Sequence, residues 1–479
     1  MSADAGRWFV DVTSTGHVLI PEMGWEMQAA GVLSMSHSQT RFIIAMCTCI
    51  PLSAGMRLIH NTTLRHLYSV VVGVLLVMYP FGHGIYQLIF PVAATYLSML
   101  LSPRHCVATT WVFVFGYLVW LQVVTASGMA WNEGAIDFVG AIMILTLKLI
   151  AMAQCYQDGL YMPKGDMNEY QRDHAFSKLP NPLAYLSFVF ACGNLLCGPP
   201  IEYSEYATFV ARRGVPLGLA HGCFWIAQAA MFMAMHLLMI GHFEWGVTNN
   251  FWFRREPYLS LPLWQRLGCH VMCGFSHQIK YYFLWKLAES ANVFSGFDFV
   301  GWDLADRATW GRCTNVRFLG MWLSDSASIV PTHWNIRTGI FLRRYVYERI
   351  VGPAGRPGFV HILITQLVTA FWHGVYPGYI IFFIGTVFYL QAARTIYRAE
   401  KAVLPKWLVT SWPWWLLKVA WTDVAVCYMS MAFVLLEWDT SIEMHSNVYF
   451  IPHAVMAMLC VLGLVLPSAG GGKAKKKAE

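Results

Sequence analysis

Charge is scarce in this sequence. Asp, Glu, Lys and Arg together make up 12% of its 479 residues, where a soluble domain carries about 25%. That shortage excludes a chain built to dissolve in water, and with 57% hydrophobic residues the balance is that of a bilayer protein. Other signatures are missing too. The twelve cysteines include no CxxC pair, and several, such as Cys47, Cys223 and Cys460, sit inside apolar runs; a zinc site and a disulfide framework are therefore not expected. There is no glycine-rich phosphate loop of P-loop or Rossmann type, no HExxH and no GxSxG. Carboxylates are few within the apolar runs, so an ion-driven transporter lacks its usual intramembrane Asp or Glu. The first 39 residues have no short apolar core behind a basic start, so no cleavable signal peptide is expected. No internal repeat is visible.

What is present is a series of apolar runs along almost the whole chain: 42–57, 67–82, 84–101, 107–127, 137–156, 184–197, 217–240, 267–288, 359–374, 378–393, 412–436 and 448–466. A straight crossing needs about 20 residues, so the shorter runs read as tilted or re-entrant, and the expectation is roughly 9 to 12 embedded helices. The fold class is thus an all-α polytopic membrane protein. Its parts are a polar N-terminal segment 1–41, a transmembrane domain 42–466 and a basic tail 467–479. Three polar connections are long: 157–182, 241–265 and 289–340. The last holds Trp302, Trp310, Trp322 and Trp334, a residue type that favours the headgroup region, so it is expected along the interface or dipping into the domain.

The net charge of +7 does not point to nucleic acid, because the basic residues lie in short loops and at the C-terminus, where the positive-inside rule places cytosolic Lys and Arg. The runs 343–356 and 394–406 are basic and 437–443, "EWDTSIE", is acidic. That pattern puts the first two and the tail in the cytosol and the acidic loop in the lumen. It also starts the run 359–374 on the cytosolic side, with His373 near its far end. Lys476 and Lys477 stand fourth and third from the end. They resemble a dilysine retrieval signal of endoplasmic-reticulum proteins, or serve as a basic tail on anionic lipid.

Polar residues inside the apolar runs carry the chemistry. A charged group at the centre of a membrane helix costs at least about 2.5–3.5 kcal/mol, and a neutral histidine still needs partners. Gln366, Thr369 and His373 are spaced i, i+3, i+7, on one face of an otherwise apolar helix. His373 is then either a packing histidine bonded to a carbonyl or a general base held neutral by burial. In "THWNIRTGIFLRRYVYERI", 332–350, Asn335 offers an amide for a developing oxyanion, and Arg337, Arg343, Arg344 and Arg349 offer guanidiniums to phosphates; an interfacial amphipathic helix explains the same composition. In "GPPIEYSEY", 198–206, the prolines end a helix, and Glu202, Tyr203, Glu205 and Tyr206 read as a turn that caps the next segment. His270, His277 and Tyr281 share a helical face, lining a cavity or packing.

Four blocks in this order, "GPPIEYSEY", "KYYFLWKLAE" (280–289), "WNIRTGIFLRRYVY" (334–347) and "TAFWHGVYPGY" (369–379), resemble the lysophospholipid acyltransferase branch of the membrane-bound O-acyltransferase family. "LKLIAMAQCYQDG" (147–159) is a weaker fifth block, and its "QCYQDG" departs from the usual aromatic-rich form. Phe341 stands where the family often has Trp, an aromatic swap expected to alter pocket shape rather than chemistry. The FYxDWWN signature of sterol and diacylglycerol acyltransferases is absent; "WPWWL" (412–416) does not replace it.

The resemblance implies helices around an interior reaction chamber in the endoplasmic-reticulum membrane. There an acyl group passes from acyl-CoA, a co-substrate with no bound cofactor or metal, to the free glycerol hydroxyl of a lysophospholipid. His373 matches the catalytic histidine and Asn335 the asparagine. The expected substrate-binding residues are Trp334, Thr338, Arg343 and Arg344, with Gln366, Thr369, Tyr281 and Glu202. The competing readings are a protein or peptide acyltransferase of the same family and a non-catalytic polytopic lipid transporter. Membrane lipids are the surrounding partners; self-association is left open.

Overall fold

A backbone in hydrocarbon satisfies its own hydrogen bonds only as helix or closed barrel, and the apolar runs here take the helical course. The computed structural model of the chain describes residues 19–33, 35–126, 128, 136–243, 252–254, 256–352 and 355–466. The basic tail 467–479 with Lys476 and Lys477, and residues 1–18 of the N-terminal segment, lie outside the described residues.

Among the described residues, seven helices are long and apolar enough to cross a membrane: His37–Leu58, Thr62–Leu101, Cys106–Thr125, Val139–Tyr161, Leu219–Met239, Pro377–Ala402 and Trp412–Leu435. A pair bent by 85°, Trp438–Ser446 and Ile451–Val465, makes an eighth if taken as one crossing. Several expected segments are redrawn. Runs 67–82 and 84–101 join through a 3-10 stretch, Gly82–Leu88. Run 184–197 is helical only over Pro182–Val189 and ends before its prolines, with Phe190 leaving the helical path. Run 267–288 lies within the longer Leu263–Ser295 helix, which carries Arg266, Lys280, Lys286 and Glu289. The acidic stretch read as a loop, 437–443, is mostly helix, Trp438–Ser446. Leu436 takes a positive φ of 66° and breaks the preceding helix; Tyr449 and Phe450, at 53° and 51°, break the next.

The chain forms two compact units. The first comprises Met1–Met235, Lys280–Asn315 and Ile340–Val346; the second comprises His236–Ile279, Val316–Gly339 and Tyr347–Glu479. In the first, side-chain caps set the helix starts: Ser36 closes a capping box with Gln39, and Asn61 Oδ1 accepts from the Leu64 amide at 3.0 Å. Val139–Tyr161 is apolar nearly all round and almost wholly buried, as an interior helix should be. The 289–340 connection holds structure of its own. Strands Phe299–Trp302 and Ala308–Trp310 pair antiparallel, and Trp310 packs on Phe299 with ring centroids 5.5 Å apart.

In the second unit, Pro377–Ala402, Trp412–Leu435 and Ile451–Val465 pack around a core that includes Tyr389, Ala392, Ala425, Tyr428 and Met456. Gly378 shows why these helices approach so closely. Its amide donates to the Leu436 carbonyl at 2.7 Å, and a Cβ there would lie 2.1 Å from the Ala432 carbonyl oxygen, so no other residue fits.

Candidate active site

The short apolar helix Phe359–His373 ends on the histidine because the next residues cannot extend it. Gly374 has φ 146°, a region open to glycine, and Pro377 restarts the chain as the next helix. Fifteen residues at about 1.5 Å each reach roughly 22 Å, short of the roughly 30 Å hydrocarbon core. By length alone this helix falls short of a full crossing.

Four aromatic rings surround the imidazole. Trp372 lies 4.6 Å away edge-on, Phe433 4.9 Å edge-on, Phe383 5.3 Å and stacked at 22°, and Tyr379 5.7 Å. His373 is half-buried. Among the described residues no protein group hydrogen-bonds either ring nitrogen, so the packing histidine bonded to a carbonyl is not what the structure contains. Ring contacts hold the imidazole by its faces and edges and leave its nitrogens for other chemistry. Thr369, one turn back on the expected face, is buried and gives its hydroxyl to the Thr365 carbonyl at 2.8 Å. Gln366 is half-buried on the same helix.

Asn335 sits at the entrance of the Ile336–Phe341 helix. Its carbonyl accepts from the Gly339 amide at 2.9 Å, and its φ of 46° is left-handed, a conformation that asparagine tolerates better than most residues. A backbone bond from the Arg317 amide to the His333 carbonyl, 2.9 Å, closes the loop before it, and the Trp334 amide donates to Val330 O at 2.9 Å. Burial, then the nearby Arg317, lowers the pKa of His333. Thr338 is buried, and among the described residues its hydroxyl has no hydrogen-bond partner. Trp334, Asn335, Thr338, Gln366, Thr369 and His373 thus belong to one unit.

The other expected residues belong to the first unit. Glu202 precedes Tyr203–Ala211 but makes no capping bond, contrary to the capping role read from the sequence. It is buried and accepts from the Tyr170 hydroxyl at 2.7 Å and the Tyr345 hydroxyl at 2.8 Å; Cys155 Sγ lies 3.2 Å from the same Tyr345 oxygen. Tyrosines at close range out-compete the helix-end amides for this carboxylate. Arg344 stacks its guanidinium over Tyr170 at 4.7 Å, whereas Arg343 is exposed. Tyr281 packs on Trp285 at 5.6 Å. Burial pulls His174 down, but the Glu205 and Glu202 carboxylates outweigh it and its pKa is raised. Within the second unit, His270 is a packing residue: Tyr258 Oη lies 3.1 Å from its Nε2.

Sequence reasoning missed the rings around His373. Tyr379 and Phe383 stand four residues apart, a spacing that places both on one helical face, and this was a readable signal; nothing local pointed to Phe433. The tyrosines on Glu202 had no local signal either. Among the described residues no cluster of three or more His, Cys, Asp or Glu could hold a metal ion.

A sequence model of the membrane-bound O-acyltransferase family, MBOAT, matches residues 123–435. Lysophospholipid acyltransferase 1 of Arabidopsis thaliana is 30% identical over 464 residues, covering 94% of this chain and 99% of the relative. Lysophospholipid acyltransferase 2 of the same plant is 32% identical, covering 91% and 96%. Membrane-bound glycerophospholipid O-acyltransferase 2 of Gallus gallus is 28% identical, covering 87% and 82%.

Proposed function

The chain belongs to the membrane-bound O-acyltransferase family and is a multi-pass membrane acyltransferase, and from that premise we propose that it re-acylates lysophospholipids with acyl-CoA as donor. The observation that carries the reading is His373: an imidazole walled by four rings, with no protein partner on either nitrogen among the described residues. It shares a unit with Asn335. The names of the relatives from plant and bird support glycerophospholipid chemistry.

In this proposal a ring nitrogen of neutral His373 takes the proton from the free glycerol hydroxyl. The oxygen attacks the thioester carbonyl carbon, and the Asn335 amide donates to the tetrahedral oxyanion or orients the hydroxyl. Collapse of the intermediate breaks the carbon–sulfur bond, and the departing thiolate takes the proton back from the imidazolium. Apolar walls strengthen each of these interactions and keep water from the thioester. An endoplasmic-reticulum location with a cytosolic C-terminus is part of the same proposal and rests on the charge asymmetry of the loops.

The test is a panel. Microsomes carrying the full chain receive labelled acyl-CoA and lysophospholipids of several headgroups. Diacyl product above that of vector-only microsomes for at least one headgroup is the expected result. No gain for any headgroup would count decisively against the reading.

A further inference from the structure

A general base and an oxyanion donor must be held to within about 0.5 Å of their working geometry, and loops do this less well than helices. His373 ends a helix, but Asn335 ends a loop. The stretch from 317 to 335 has only a five-residue helix, Phe318–Trp322, and a three-residue 3-10 turn, Val330–Thr332. Something else must make it rigid.

The second unit contains such a device. Lys418, on Trp412–Leu435, places its Nζ 2.8 Å from Asp325 Oδ2 and 2.9 Å from Glu400 Oε1. Asp325 lies in the middle of the Asn335 loop, and Glu400 lies near the end of Pro377–Ala402. Trp414 Nε1 donates to the same Glu400 oxygen at 2.7 Å, which orients the carboxylate. All three charged side chains are mostly shielded, with relative exposures of 17%, 22% and 11% for Lys418, Asp325 and Glu400; an ion pair so shielded is screened less than one in open solvent. Two residues on, Ala327 is buried in the core formed by Tyr389, Ala392 and Ala425. On the other flank Trp322 packs on Phe275 with ring centroids 4.8 Å apart. The Arg317–His333 backbone bond closes the base of the loop.

The two helices that receive this tether are those that wall the imidazole: Tyr379 and Phe383 come from Pro377–Ala402 and Phe433 from Trp412–Leu435. We infer that Lys418 is a positioning residue for Asn335: by bridging Asp325 and Glu400 it locks the asparagine's loop onto the helices that enclose His373. The inference rests on the catalytic role proposed for Asn335. Lys418 acts through the loop and does not touch substrate. A lysine bound only to steady one helix would need a single carboxylate; a lysine shared between two ties two segments together.

The experiment uses the full chain in microsomes, with Lys418→Met, Lys418→Arg, Asp325→Asn and Asn335→Gly made singly and Lys418→Met also combined with Asn335→Gly. Lys418→Met is expected to lower kcat by about 10- to 100-fold, because small misplacement of a reacting group costs that much. KM for both substrates should stay within about twofold, since ground-state binding is untouched. Lys418→Arg should restore most of the rate, its fork reaching both carboxylates. In the Asn335→Gly background, Lys418→Met should add less than about a twofold loss, because the group it positions is gone. If Lys418→Met gives no folded protein by fluorescence-detected size exclusion, Asp325→Asn takes its place and should show the same kcat-only loss.

Wild-type kcat in Lys418→Met and Asp325→Asn, with Asn335→Gly impaired, overturns the inference alone. The same fold-loss in both backgrounds also overturns it, since the effect then bypasses Asn335. An unimpaired Asn335→Gly overturns instead the role proposed for Asn335, and this inference with it.

Discussion

His373 and Phe383 lie nearly parallel, ring centroids 5.3 Å apart and planes 22° from one another. The stack fixes the imidazole plane without using either nitrogen, so the ring is oriented but not occupied. His373→Ala should therefore lower kcat by about 10²- to 10⁴-fold, the usual range for loss of a general base, while folded yield changes little. Acyl transfer by purified variant, normalised to folded protein, checks this; near-normal turnover would remove His373 from the reaction.

Asn335 calls for a particular substitution. Its φ is 46°, so alanine would add backbone strain to loss of the amide, whereas glycine removes the amide and accepts the backbone. Asn335→Gly should lower kcat by about 10²- to 10³-fold. Steady-state kinetics decide between roles: a change confined to KM would make Asn335 a ground-state binder.

Phe383 itself offers a graded test. Phe383→Leu keeps an apolar wall but loses the stacked ring, an arrangement worth roughly 0.5–1.5 kcal/mol. Less precise orientation of the imidazole should lower kcat by about 3- to 10-fold, with thermal stability near wild type. An unchanged kcat would show that the other three rings suffice.

Gly378→Ala should abolish folded protein. The added Cβ would stand 2.1 Å from the Ala432 carbonyl oxygen and 2.9 Å from the Leu436 backbone, and neither can yield without breaking the 2.7 Å bond that joins the two helices. Size-exclusion of a fluorescent fusion reads the outcome; a monodisperse peak at wild-type yield would contradict this helix packing.

Glu202→Ala should destabilise the protein, because it leaves the hydroxyls of Tyr170 and Tyr345 without their carboxylate. Each hydrogen bond to a charged acceptor lost this way costs about 1.5–3 kcal/mol. Melting temperature in detergent should fall by several degrees. An unchanged melt would mean that the two tyrosines find other acceptors.

His174 gives a pH signature. Its pKa is raised in the folded protein, with burial opposing and the Glu205 and Glu202 carboxylates prevailing. A raised folded pKa adds stability that is complete below the ordinary histidine value of about 6.5 and is lost as pH rises through the folded value. Melts from pH 6 to pH 9 should show wild type losing an increment that His174→Gln never has. Parallel curves would overturn this assignment.

Local pattern was enough to place much of this molecule. Scarce charge and recurring apolar runs gave the helical membrane class, and Gln366, Thr369 and His373 do share one helix because a 3.6-residue period is a property of neighbours in the chain. The gap between the runs 359–374 and 378–393 likewise placed the break after the histidine, which Gly374 and Pro377 make for local reasons. What the chain order could not contain was the choice of partners. Phe433 closes the ring wall from 60 residues away, Tyr345 reaches Glu202 across 143, and Lys418 gathers Asp325 and Glu400 from two segments. Such contacts are selected by how whole helices pack, since burial rewards any apolar neighbour and a buried carboxylate any donor in range. Sequence thus determined the helical membrane class and the end of the helix at His373; only the tertiary structure decided the remaining helix breaks and which rings, hydroxyls and charges come together around these side chains.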